Sequence, residues 1–126
     1  DYASQLAAFF NSRPIFDLIL LGMGTDGHTA SLFPDSPALQ EERRTVVPVT
    51  AQYQDRPANR VTFTPPTINA ARHVFFLVAG KNKAQMAQEV LTGPPGRYPA
   101  QLVQPTAGQV TWLLVKAAAR LLKGCK

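Results

Sequence analysis

Apolar residues fall into two rhythms along this chain, a spacing of three to four and short unbroken runs, and prolines and glycines mark each change between them. In DYASQLAAFFNS, Leu6, Phe9 and Phe10 keep helical spacing and predict a helix that ends before Pro14. FDLILLG, residues 16–22, then predicts a strand buried on both faces. A glycine loop from Gly22 to Gly27 leads into a short helix expected from His28 to about Phe33, which PDSP terminates. TVVPV, residues 45–49, predicts a strand that Pro48 confines to an edge or stops early, and RVTFT, residues 60–64, predicts the next. Pro65 and Pro66 set the first turn of a short helix through Ala71, and HVFFLVAG, residues 73–80, is another buried strand. Lys83 to Leu91 carries Ala84, Ala87, Val90 and Leu91 at helical spacing, and GPPG closes it. A loop through Pro99 and Pro105 leads to a last strand, VTWLLV (110–115), and a last helix, KAAARLLK (116–123).

Strands alternating with helices predict an α/β fold over residues 1–126, one domain built on a mostly parallel sheet with helices on both faces. In open sheets of this kind ligands sit at the carboxyl ends of the strands, where the glycine loop lies.

Composition narrows the function. The chain has 126 residues, 45% of them hydrophobic, which is enough for a core. Its apolar runs are about half the ~20 residues of a membrane-spanning helix, so a soluble protein without a membrane partner is expected. Thirteen Lys and Arg against eight Asp and Glu give a net charge of +5. The basic residues come singly or in short groups, Arg43-Arg44 and Lys116 with Arg120 and Lys123, with no arginine-rich tract and no stacking platform, which argues against nucleic acid. A phosphorylated small molecule would still be drawn to such a surface. Cys125, the one cysteine, excludes an intrachain disulfide and a cysteine metal cluster, and fits a reducing cytoplasm. With two histidines and no acidic cluster, neither a metal site nor a cofactor is expected.

The chemistry concentrates in GMGTDGHTASLFP, residues 22–34. Gly22, Gly24 and Gly27 spell G-x-G-x-x-G, but a dinucleotide site needs a longer helix than Pro34 permits and an acidic residue ending the second strand, whereas Glu41 and Glu42 precede it. The glycines otherwise permit a tight turn with positive φ and close approach of a ligand, and a helix starting at His28 would offer N–H groups to an anion or a developing oxyanion. Histidine titrates near neutrality, so His28 beside Asp26 can act as a general base on water. The alternative makes Asp26 a helix cap and His28 an exposed first residue, and spacing does not separate the two. His73 reads as a structural histidine and Trp112 as core. Thr64 and Asn69 read as backbone-bonding residues, and Ser31 as a backbone-bonding residue rather than a nucleophile.

GMGTDGHTASLFP resembles the signature of 6-phosphogluconolactonases, and the similarity continues in order through NRVTFT, INAARHVFFLVAGKNKA, YPAQLVQP and GQVTWLL. The resemblance implies a Rossmann-like α/β sheet of the sugar-phosphate isomerase and lactonase type. It also implies hydrolysis of 6-phosphogluconolactone to 6-phosphogluconate in the pentose phosphate pathway. Glucosamine-6-phosphate deaminases share a similar loop, but theirs continues with a ring-opening carboxylate where this chain has Ser31-Leu32-Phe33-Pro34. By this resemblance His28 is the base that activates water, Asp26 shapes the site, and Gly22, Gly24 and Gly27 form the substrate loop. Arg60 matches the arginine of the family's R-x-T segment and Lys83 the lysine of its G-x-x-K segment, both implicated in holding the sugar phosphate.

The chain departs from the family pattern at Val115, where an aspartate usually caps the final helix. It also resembles only the C-terminal half of the family, so a sheet truncated at its N-terminal side is expected. Unpaired strand edges of that kind favour self-association. The competing functions are a deaminase or isomerase of amino-sugar phosphates, and a non-catalytic fragment that binds sugar phosphates.

Overall fold

A computed structural model describes residues 1–51 and 58–122; Lys123 and Cys125 lie outside the described residues. Helix α1 (Tyr2–Phe10) is capped by Asp1, whose carboxylate accepts the Ser4 amide at 2.7 Å, and it ends where Asn11 turns left-handed with φ 60°. Strands β1 (Ile19–Leu21), β4 (His73–Val78) and β5 (Gln109–Leu114) form a parallel sheet in the order β1-β4-β5. Between β1 and β4 the chain makes a separate antiparallel ribbon, β2 (Val46–Thr50) with β3 (Asn59–Phe63), and a short helix, α2 (Pro65–Asn69). Among the described residues β2 pairs with β3 alone, which leaves an edge that tolerates Pro48. Helix α3 (Ala84–Thr92) carries the chain from β4 to β5, and α4 (Lys116–Ala119) follows β5. Val115 occupies the cap position of α4 and makes no side-chain cap bond. Among the described residues no helix is long and apolar enough to cross a membrane.

One face of the sheet holds the core. Val74, Phe76 and Val78 of β4 alternate inward with Ile19 and Leu21 of β1, and Phe76 stacks on Trp112 at 3.9 Å between ring centroids. Ile68 of α2 and Ala87 of α3 are fully buried against the same cluster. His73 is half-buried and shares a hydrogen bond with the Thr111 hydroxyl at 2.8 Å, as a structural histidine should. Thr64 bonds the Arg44 and Thr45 carbonyls, while Asn69 bonds the backbone of Leu102 and Gln104 across the fold.

Two local expectations are corrected. FDLILLG is not buried on both faces: Leu20 is 58% exposed, β1 follows a buried-exposed-buried pattern, and Leu77 and Leu113 continue the open side on β4 and β5. The helix expected from His28 to Phe33 does not form. Ala30 is left-handed with φ 51°, and Thr29 and Leu32 make an isolated antiparallel bridge. Tertiary bonds pull the segment out of helical shape, since the buried Thr29 hydroxyl donates to the Gly22 carbonyl and the Ser31 amide donates to the Thr62 hydroxyl on β3.

Candidate active site

β1 and β4 are parallel neighbours, so the loops that leave their carboxyl ends open side by side. The glycine loop follows Leu21, and the turn through Gly80, with φ 108°, follows Val78 and brings in Lys83. Arg60 arrives from the ribbon on β3, which is fastened to the loop by the bond between Ser31 and Thr62. Gly22, Met23, Gly24, His28, Arg60 and Lys83 together line a cavity of about 410 Å³. The three chemically distinct side chains of the sequence reading, one imidazole and two cations, therefore meet in one place.

Asp26 stands behind His28. Its Oδ1 lies 2.6 Å from His28 Nδ1 and also accepts the His28 amide at 3.1 Å. The carboxylate thus fixes both the ring and the backbone that carries it. With a proton on Nδ1 donated to Asp26, Nε2 carries the lone pair of the ring, the tautomer being inferred from the hydrogen-bond pattern. Asp26 is not a helix cap, because no helix follows it. His28 is only 14% exposed at its side chain against 36% for Asp26, so the imidazole is the more enclosed of the pair.

Three of the loop amides are committed within the loop itself. Gly24 N–H donates to the His28 carbonyl, Gly27 N–H to the Gly24 carbonyl, and His28 N–H to Asp26. With those donors turned inward and no helix behind Gly27, neither the helix-terminus oxyanion reading nor the dinucleotide fingerprint holds for these residues. The glycines serve geometry. A Cβ on Gly24 would lie 2.2 Å from the His28 ring, and Gly27, at φ 84°, is overlaid by Tyr98. Gly22 is open on its Cα side and contributes its carbonyl to Thr29.

Positive charge at the site comes from side chains. Lys83 Nζ bonds the Met23 carbonyl, which draws the ammonium onto the rim of the loop. Arg60 is half-buried with its guanidinium over the Phe33 ring, 5.3 Å from the centroid. Arg44 is engaged elsewhere, in an ion pair with Glu41, and Arg43 lies outside the cavity wall. Two further residues escaped the sequence reading. Phe33 stacks on His28 with centroids 4.5 Å apart. Tyr98 covers Gly27 and donates its hydroxyl proton to Glu89, a bond that raises the phenol's pKa above its ordinary value. An aromatic five residues after the histidine was the available signal for Phe33.

An imidazole backed by a carboxylate and faced by two cations at the carboxyl edge of a parallel sheet describes a class of α/β proteins that handle anionic small molecules. A family model described as glucosamine-6-phosphate isomerases/6-phosphogluconolactonase matches residues 1–112. The chain is 47% identical over 125 residues to the 6-phosphogluconolactonase of Bos taurus, a match that takes in 97% of this chain and 48% of that relative. A 6-phosphogluconolactonase structure from Trypanosoma brucei aligns with a TM-score of 0.83 at 34% identity, over 96% of this chain and 51% of the other. A monomeric glucosamine-6-phosphate deaminase aligns with a TM-score of 0.70 at 26% identity, over 93% and 51%. The chain belongs to the glucosamine-6-phosphate isomerase/6-phosphogluconolactonase family, and it spans about half the length of the curated relatives it matches.

Proposed function

We propose that this chain carries the catalytic loop of an enzyme that hydrolyses 6-phospho-D-glucono-1,5-lactone to 6-phospho-D-gluconate in the pentose phosphate pathway. The observation that carries the reading is the bond from Asp26 to His28, whose ring shares one cavity with Arg60 and Lys83. His28 Nε2 takes a proton from water as the oxygen attacks the lactone carbonyl. The resulting imidazolium, stabilised by Asp26, returns the proton to the ring oxygen as the carbon–oxygen bond breaks. A lactone is already an activated ester, so a positioned base supplying about 10²- to 10⁴-fold, with orientation, is a sufficient catalyst. Arg60 and Lys83 hold the 6-phosphate, with Gly22 and Gly24 allowing the sugar to approach the loop. Soluble, cytoplasmic residence and a small phosphorylated lactone as sole partner of the site accompany this reading.

Lactone hydrolysis measured above the spontaneous background is the direct test. His28→Ala should abolish most of it while 6-phosphogluconate still binds. Arg60→Ala and Lys83→Ala should weaken 6-phosphogluconate far more than gluconate. Wild-type turnover in the His28 variant, or equal weakening of both ligands, would sink the respective assignment. Release of ammonia from glucosamine 6-phosphate would favour the deaminase reading instead, although residues 29–34 supply no carboxylate for ring opening. Binding of 6-phosphogluconate without turnover would favour a non-catalytic fragment.

A further inference from the structure

We propose that Tyr98 is a positioning residue that fixes Gly27, and through it the angle between Asp26 and His28, a role that rests on the lactonase reading for its kinetic consequence. Gly27 stands between the two members of the proposed dyad, so its backbone sets how the carboxylate faces the imidazole. Two contacts from one segment hold it. The Gly27 carbonyl accepts the Ala100 amide at 2.9 Å. Tyr98 closes so tightly on Gly27 that a Cβ there would stand 2.8 Å from Tyr98 Cβ and 2.9 Å from its ring. Tyr98 is fixed in turn at its backbone and at its tip. Its amide donates to the Gln101 side chain at 2.9 Å, and its hydroxyl donates to the Glu89 carboxylate on α3, which also takes a bond from Gln85 at 3.5 Å. Gln101 reaches back to the same helix by donating to the Val90 and Pro94 carbonyls. Helix α3 begins directly after Lys83, whose ammonium bonds the Met23 carbonyl. The helix and its flanks therefore hold the glycine loop at Met23 and again at Gly27, on the two sides of Gly24 and Asp26. A phenol donating to an ionised carboxylate makes a charge-assisted bond, so the link between Tyr98 and Glu89 is the one whose loss the loop should feel most. Phenylalanine would keep the ring over Gly27 and lose only this link.

Tyr98→Phe separates the hydroxyl from the packing of the ring. In the lactone assay its kcat should fall about tenfold, a fraction of what a misplacement of about 1 Å costs, while KM and 6-phosphogluconate affinity stay within about twofold because Arg60 and Lys83 are untouched. Glu89→Ala should give the same loss, and the double variant no more than either alone. Glu89→Gln still offers the phenol an acceptor and should lose less than Glu89→Ala. Ile68→Val, a buried methyl deletion in α2, is the control for stability alone: its melting temperature should fall comparably with kcat unchanged. Amide hydrogen exchange reads the loop without the reaction. The Gly27 and Ala100 amides bond the Gly24 and Gly27 carbonyls respectively, and in Tyr98→Phe their exchange should quicken about tenfold relative to the Ile68→Val protein. Unchanged kcat in Tyr98→Phe, an equal loss in Ile68→Val, additive losses with Glu89→Ala, or exchange no faster than in the control would overturn the proposal. If Tyr98→Phe does not fold, Glu89→Ala is read by the same criteria. Failure of both to fold makes Tyr98 a packing residue and also overturns it. Absence of lactone turnover in the wild-type chain, with exchange responding as expected, would instead remove the lactonase reading and leave Tyr98 as the residue that holds the loop.

Discussion

Gly24 is where a single methyl group would do most harm. A Cβ there would stand 2.2 Å from Cε1 and Nδ1 of His28 and 2.8 Å from the Asp26 carboxylate, well inside any real contact. Something must move, and the backbone is tied by the bond from Gly24 N–H to the His28 carbonyl, so the imidazole yields. Gly24→Ala is expected to lower lactone turnover by about 100-fold, since a misplacement of about 1 Å at the reacting group has that effect, while 6-phosphogluconate affinity changes far less. Gly22→Ala is the contrast, because its Cβ meets nothing within 4 Å and stability should be unaffected. Retained turnover in Gly24→Ala would mean that the imidazole position is not what limits the reaction. The glycines were legible in the sequence as a motif, but their separate duties were not. Spacing identified three of them together, and only the positions of His28 and Tyr98 distinguish which exclude a side chain and why.

Elements whose cause is local were readable, and those whose cause is distant were not. Helix α3 follows from Ala84, Ala87 and Val90 on one face, all buried, although Leu91 of the same spacing is 37% exposed, and α2 follows from its two leading prolines. The segment after His28 has equally good helical composition, yet its shape is set by Thr29 reaching seven residues back to Gly22 and Ser31 reaching thirty-one forward to Thr62. The antiparallel ribbon is similar, since β2 and β3 carry no sign of their register until they pair. The bend before β2 offers an element-scale prediction. Glu41 accepts the Arg44 and Arg43 amides, each at 3.0 Å, and the Arg44 guanidinium, with the Arg44 amide the largest influence, and its pKa is lowered from 4.5 to about 2. A folded-state pKa below the unfolded value contributes stability that is present above about pH 4.5 and is lost as pH falls toward 2. Denaturation midpoints of wild type and Glu41→Gln should therefore differ at pH 6 and converge near pH 2. A gap that stays constant across that range would show that the carboxylate charge is not what holds the bend.

At the scale of the whole molecule, the sheet is covered unequally. Leu20 on β1, Leu77 on β4 and Leu113 on β5 are 58%, 48% and 46% exposed, and Leu77 and Leu113 are register partners, so they form a continuous apolar surface rather than scattered leucines. β1 and β5 each also leave one edge without a strand among the described residues. Magnitude decides what this surface can do by itself. Burying the remaining half of each leucine is worth about 1 kcal/mol, or about 6 kcal/mol for a face-to-face pair of copies. Losing translational and rotational freedom costs about 4 to 15 kcal/mol, so self-association through this face is expected to be weak. Sedimentation velocity should find the chain monomeric at low micromolar concentration and associating reversibly in the hundreds of micromolar. Leu77→Lys combined with Leu113→Lys should abolish that association with little change in melting temperature, because both side chains are already half in water and their loss leaves no cavity. The same two leucines would be indispensable to folding if the core extended through the sheet. A melting temperature lowered as steeply as by a core substitution such as Phe76→Ala would show that it does, and association persisting in the double variant would assign the contact to the strand edges instead.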